Sequence, residues 1–419
     1  MVSRLLLQMA IAVLVFVSLI DPSDMMLHLK APFFASVMLV WLYRQIRMGH
    51  RIDQERSQKL SRAVWITVLI ITVVIPSGWS LIGFLNFDLH SGDAPFGLLR
   101  SFLFFSIALV LVSERIGLAS LLIKWSVLIA LLTLVMVAIN LFSNQLFFGL
   151  YAFIMDKQNG VITPERDPIG LGIGEFYYAS CPIMIFSFAY YCERMLQYAT
   201  HRVRSIAMSL LFGAALLLTG ARADILAMAA VAAFLMLIRI RKGAGLAATF
   251  LVGATIIAVG AGMVLPRFAD KQEGSNAIKL GHFYSYIEEF DSRSAVLLVG
   301  EGANSAFYSQ GFEKWTVVTE LTYLELIRIF GLPMVGLFGV GLSWIAYRLF
   351  ANGFTALGLA YVGYLGVAAS NPLLLNSTGF LVIAAMYEQA VKDTGPPLRL
   401  SNNSQAVQSI PPNTCYLLD

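Results

Sequence analysis

The chain has 419 residues, of which 58% are hydrophobic and 13% charged, with a mean hydropathy of +0.75 and a net charge of +4. Soluble domains average about 25% charged residues, so this chain holds roughly half of what a water-facing surface requires. That excludes a cytosolic enzyme, an extracellular disulfide module and a disordered scaffold, and the expected fold class is an all-α polytopic membrane protein. The small excess of positive charge is a topology signal rather than a nucleic-acid footprint. The cysteines Cys181, Cys192 and Cys415 form no CxxC pair, so neither a disulfide framework nor a zinc site is expected. No metal or cofactor is expected either.

A helix crosses the hydrocarbon core with about 20 apolar residues. Candidate spans fall, in chain order, at 4–20, 31–48, 63–85, 96–112, 119–142, 172–191, 205–220, 223–240, 244–265, 331–350, 354–370 and 372–390, about twelve in all. The run Leu5 to Ile20 resembles a signal peptide, but Asp21-Pro22-Ser23-Asp24 offers no small-residue cleavage site. It is read as the first span.

Orientation follows from lysine and arginine. Arg44, Arg47, Arg51, Arg56, Lys59 and Arg62 mark one connection as cytoplasmic. Alternating outward from it puts 18 of the 29 basic residues inside, together with both termini. Of the eleven left outside, six lie between Arg267 and Arg328: Arg267, Lys271, Lys279, Arg293, Lys314 and Arg328. Such a stretch is a folded external subdomain, which crosses regardless of charge, or it needs cations for an anionic ligand; both can hold. The expected organisation is membrane helices in 1–265, an external loop subdomain with amphipathic helices in 266–330, the last three spans in 331–390, and a polar disordered tail in 391–419.

Within the loop, Lys279, His282, Tyr286, Glu289 and Arg293 step by three and four residues and share one helix face. Leu280, Phe283, Tyr284, Ile287 and Phe290 form the apolar side. The pattern predicts a helix at the membrane surface with a cationic and aromatic face, either a ligand surface or a merely solvated one. The Gly300-Glu301-Gly302 turn that follows lacks the strand, helix and lysine of a nucleotide loop. Beyond it, Glu320, Tyr323, Glu325 and Arg328 stand at the entrance of a span, where charge is costly unless paired or functional. Glu325 and Arg328, three apart, can pair with each other. Glu320 has no local cation and is the better catalytic candidate. A second polar site, Thr219-Gly220-Ala221-Arg222-Ala223-Asp224, is the hinge between two short spans. Asp224 stands on a different helix face from Arg222, so Arg222 calls for a ligand or a distant carboxylate.

Taken together, these features resemble the O-antigen polymerase and ligase superfamily (Wzy- and WaaL-like proteins). The resemblance rests on Thr219 to Arg222 opening an outer-facing helix, the large external loop, Gly300 to Ser305, Glu320 to Gly331 before the next span, and Asn371-Pro372 ahead of the last. It covers about residues 215–335 specifically and the remainder in hydropathy alone. It implies a GT-C-like glycosyltransferase at the periplasmic face of the bacterial inner membrane. Such an enzyme moves a glycan from an undecaprenyl-pyrophosphate-linked donor to a second lipid-linked acceptor by an inverting displacement, in some systems with a chain-length regulator as partner.

Arginine suits phosphate oxygens, which makes Arg222 the expected pyrophosphate clamp, with Arg293, Lys279 and Arg328 secondary. Glu320 is the expected proton acceptor, and His282, Tyr323 and Glu325 line the same region. Ligases of the superfamily commonly show histidine where this chain has Glu320, which favours polymerase over ligase. A flippase or secondary transporter is the reading from another class. It would call for two similar halves and midplane charges, whereas no internal repeat is evident and the charges gather at one face.

Overall fold

The computed structural model describes residues 2–48, 62–86, 97–157, 160–163, 175–197, 202–240 and 274–392. The expected span 244–265, the tail beyond residue 392, and Arg267 and Lys271 lie outside the described residues.

Among the described residues, four helices are long and apolar enough to cross a membrane: Ser3–Ile20, Arg62–Leu85, Leu118–Phe142 and Thr322–Ala351, with mean hydropathies of 1.8 to 2.5. They belong to a helical bundle ordered α1 (Val2–Ile20), α2 (Lys30–Met48), α3 (Arg62–Leu85), α4 (Gly97–Leu103), α5 (Ile107–Glu114), α6 (Leu118–Phe142) and α7 (Asn144–Asp156). After a short hairpin, β1 (Gly160–Thr163) with β2 (Glu175–Tyr178), follow α8 (Met184–Gln197), α9 (Arg202–Leu218) and α10 (Arg222–Ile240). The chain continues through α11 (Gly274–Ser292), α12 (Ala295–Val299), a second hairpin of β3 (Phe307–Ser309) and β4 (Lys314–Thr316), then α13 (Thr322–Ala351), α14 (Thr355–Ala368) and α15 (Ser377–Val391).

Local chemistry explains the irregularities. Helix α3 holds a π-helical turn at Ile70–Val74 just before Pro76, because proline has no N–H with which to continue the ladder. Helix α13 breaks at Gly331 (φ 75°, ψ 160°), and Pro333 follows within it. The span expected over 172–191 is corrected: Glu175–Tyr178 is a strand paired with Gly160–Thr163, and the helix starts only after a 3₁₀ turn at Cys181–Ile183. The aromatic run Phe176-Tyr177-Tyr178 suits a strand, and Pro182 is tolerated in a first helical turn but not inside one. The last span likewise starts later than expected, at Ser377, where Asn376 Oδ1 caps the helix by accepting from Gly379 N at 2.7 Å.

Helix α15 is buried without interruption from Thr378 to Ala390, its apolar residues lying on every side, and packs on α5, α6 and α13. Helix α8 is the other hub, contacting α6, α9, α10 and α14. Without a hydrophobic force inside lipid, such contacts depend on close van der Waals fit. Phe102, the hub of an aromatic group, meets Phe330, Phe338 and Phe380 at ring separations of 4.3 to 6.0 Å.

The two ends of the bundle differ in charge chemistry. At one, Arg44 forks onto Glu114 at 2.8 and 3.0 Å and donates to Ser3, while Glu388 accepts from Leu118 N at 3.2 Å and pairs with Lys392 at 2.9 Å. At the other, buried Lys30 donates from Nζ to Pro22 O, Ser377 and Thr378, and Asp24 pairs with Arg100. Thr322 Oγ1 donates to Asn371 O at 2.6 Å at this second end, which also holds α11.

Candidate functional site

Helix α11 organises the site. Along one side it and the residue after it carry Asn276, Lys279, His282, Tyr286, Glu289 and Arg293, and each reaches across to another segment or to its neighbour. Asn276 Oδ1 accepts from Arg222 Nη1 of α10 at 3.1 Å. Lys279 Nζ lies 3.6 Å from Glu320. His282 Nδ1 bonds Ser309 Oγ at 2.7 Å, with the Phe312 ring edge-on at 4.4 Å. Tyr286 donates to Glu325 Oε2 at 2.5 Å and bonds Thr319 Oγ1 at 2.6 Å. Arg293 pairs with Glu289 and, at 3.0 Å, with Glu301.

This corrects the expected orientation of the helix. The face expected to be offered to solvent or ligand is turned onto the protein, while Leu280, Phe283, Tyr284 and Ile287 are 42 to 53% exposed. Most of the polar groups satisfy one another across α11, the second hairpin and the start of α13; among the described residues, His282 Nε2 is buried without a hydrogen-bond partner. The apolar side is left on the outside, an arrangement that suits a helix at a lipid interface.

Below Tyr286 lies a sealed ion cluster. Arg328 is 0% exposed. It forks onto Glu325 at 2.7 and 3.3 Å, reaches Glu301 at 2.8 Å, and donates to Ser305 and to Val317 O. Its guanidinium carbon stands 4.7 Å from the Phe307 ring centroid. The Gly-x-Gly turn serves this cluster. Gly300 (φ 80°) and Gly302 (φ 87°) let the backbone pass between α3 and α13, where Glu301 N donates to Arg328 O at 2.7 Å and Ala303 N to Trp79 O at 2.9 Å. A Cβ on Gly302 would fall 2.1 Å from Gly83 N, so no larger residue fits.

Protonation follows burial. Desolvation, reinforced by the neighbouring Glu301 carboxylate, pushes Glu289 up to about 7. Burial and then Glu325 raise the Tyr286 phenol, which therefore remains a donor. Burial lowers His282, against the opposing pull of Glu320 and Glu325, so its imidazole is neutral at pH 7.

The sequence-predicted residues therefore divide. Arg222, Lys279 and Glu320 are gathered around the first two turns of α11 and are partly open, with Lys279 and Glu320 side chains 32% and 41% exposed. Glu320, which has no local cation, meets Lys279 from 41 positions earlier in the chain. Glu320 precedes α13, the helix that carries Tyr323. Arg328 and Glu325, expected as ligand contacts, are instead saturated and enclosed. Their local pairing is as the i,i+3 spacing allowed. Tyr323 is tied to α14 through a bond to Leu365 O at 2.8 Å.

Sequence reasoning missed Asn276, Ser309 and the role of Glu301. For Glu301 a signal existed: a carboxylate between two glycines in an apolar context needs a cation. Among the described residues no group of His, Cys, Asp and Glu is arranged to hold a metal ion.

The long apolar helices and this charged cluster at one end define the chain as a helical membrane protein. No protein-family model matches it, and no curated protein matches it.

Proposed function

We propose that the protein is a polytopic GT-C-like glycosyltransferase of the inner membrane, crossing it about twelve times with both termini cytoplasmic and α11 at the periplasmic face. It polymerises undecaprenyl-pyrophosphate-linked oligosaccharide repeat units into O-antigen or exopolysaccharide. One observation carries the reading. Arg222 and Glu320 contact Asn276 and Lys279, residues three apart on one helix and therefore about 4.5 Å apart along its axis. A phosphate-binding arginine and a solvent-accessible carboxylate thus share one small, partly open region, with Lys279 adding a second cation.

In the reaction, the acceptor sugar hydroxyl attacks the anomeric carbon of the donor glycan. The carbon–oxygen bond to the lipid pyrophosphate breaks with inversion, and its electron pair leaves with the pyrophosphate. The hydroxyl proton passes to the Glu320 carboxylate. Arg222, with Lys279, balances charge on the departing pyrophosphate, the term that usually contributes most. The exposed apolar side of α11 keeps these groups at the depth where the lipid-borne phosphates lie.

Complementation of a deletion strain by Arg222→Ala and Glu320→Gln tests this, with protein levels checked and surface glycan length read on gels. Each variant is expected to be made in normal amount and to leave single repeat units, with turnover down by at least about a hundredfold. Full-length polymer from both overturns the site. Loss of surface glycan with accumulation of lipid-linked polymer replaces the polymerase with a ligase that transfers finished glycan to lipid A-core.

A further inference from the structure

At the end of the bundle opposite α11, an open-sided cavity of about 580 Å³ lies where α1 and the start of α6 meet Lys392. Gln8, Arg115, Ser120 and Lys392 supply its polar wall, and Met9 and Leu121 part of its apolar wall. Arg115 is held in the left-handed region (φ 53°, ψ 50°) at the end of α5, and its side chain is exposed.

Among the described residues, the nearby carboxylates are already taken. Glu114 is forked by Arg44, and Glu388 is bound by Lys392 and Leu118 N. Among the described residues, neither Arg115 nor exposed Lys124 has an ion-pair partner. Lys124 is not itself in the cavity wall; it stands three residues beyond Leu121 and four beyond Ser120, the next position along the same side of α6. It is six residues inside a 25-residue apolar span, about 9 Å from the helix start, where an uncompensated ammonium is costly and its stem must reach back toward the headgroup layer.

We propose that this cavity binds an anionic glycerophospholipid of the leaflet at that end. The phosphate sits between Arg115, Lys124 and Lys392, the glycerol meets Gln8 and Ser120, and an acyl chain lies along Met9 and Leu121. Cation pairs beside an apolar wall between membrane helices are suited to such headgroups, and the two unpaired charges match a ligand of opposite sign. A neutral phospholipid would leave both unbalanced. The proposal does not depend on the activity assigned to the opposite end.

Full-length purified protein, titrated in detergent with phosphatidylglycerol or phosphatidylcholine and followed by native mass spectrometry, provides the test. Wild-type protein is expected to prefer phosphatidylglycerol by about tenfold or more. The double variant Arg115→Glu, Lys124→Glu is expected to lose that preference with an unchanged melting midpoint. The control Arg202→Glu, Arg204→Glu, which reverses two exposed charges at the start of α9, should retain it. Equal preference in wild type and the Arg115, Lys124 variant overturns the proposal. Displacement of the lipid by millimolar inorganic phosphate also overturns it, by making the cavity a site for a soluble anion.

Discussion

The Arg328 cluster and the Lys279–Glu320 pair share helix α11 and the same end of the bundle, yet solvent reaches only one of them. Arg328, Glu301 and Glu325 side chains are 0%, 4% and 2% exposed, whereas Lys279 and Glu320 are 32% and 41% exposed. A charge withdrawn from water costs several kcal/mol unless attraction and hydrogen bonds replace the lost solvation. Two carboxylates, a serine hydroxyl, two backbone carbonyls and an aromatic face surround the one guanidinium, which leaves no open donor for a ligand. The open pair forms one long contact at 3.6 Å and keeps both side chains in reach of solvent. Residues of similar charge thus differ in setting: the sealed set ties Glu301 and its turn to α13, and the open set stays accessible to solvent.

Breaking the sealed set should have the largest effect. Arg328→Met strands Glu301 and Glu325 in a dry interior, and a loss of about 3–5 kcal/mol is expected, read as a large fall in melting midpoint or as failure to accumulate. Adding Glu301→Gln and Glu325→Gln to it should restore much of the loss, since replacing a whole buried ion set is far milder than removing one member. Tyr286→Phe is expected to cost less, about 1–2 kcal/mol, by removing the phenol that donates to Glu325.

Glu289 sharpens the comparison by sitting between the two regimes. Its folded value near 7 lies above the ordinary 4.5, so the folded state favours the protonated acid. The stabilisation is complete below about pH 4.5 and is lost as pH rises from there to about 7. Glu289→Gln, neutral throughout, is therefore expected to match wild type near pH 4.5 and to melt higher at pH 8. A variant that melts lower at pH 8 would show that the ion pair with Arg293 outweighs burial.

Much of this division was hidden from sequence for a physical reason. The spacing of Lys279, His282, Tyr286, Glu289 and Arg293 predicts the helix, and the i,i+3 spacing of Glu325 and Arg328 predicts their pairing, because both are local. Which way the helix turns depends on partners from elsewhere in the chain: Arg222 for Asn276, Glu320 for Lys279 and Ser309 for His282. A solvated helix and an inward-turned one share the same periodicity. Hydropathy likewise marks 172–191 as a span but cannot see that Gly160–Thr163 pairs with Glu175–Tyr178. The clustering of basic residues along 267–328 is a property of the sequence itself and requires no knowledge of contacts.

The smallest stability effect is expected where the functional effect is largest. Lys279→Ala and Glu320→Gln each remove a contact between side chains about one third exposed, and such pairs contribute roughly 0.2–1 kcal/mol. Their melting midpoints should stay near wild type. A double-mutant cycle on the midpoint should give a coupling no larger than that of an ordinary surface pair, and raised salt should diminish it further. Coupling of 3 kcal/mol or more, on the order of a buried pair, would mean that Lys279 and Glu320 belong to the sealed set after all. Burial would then no longer separate scaffold from chemistry on α11, and Glu320 would lose its claim as the proton acceptor.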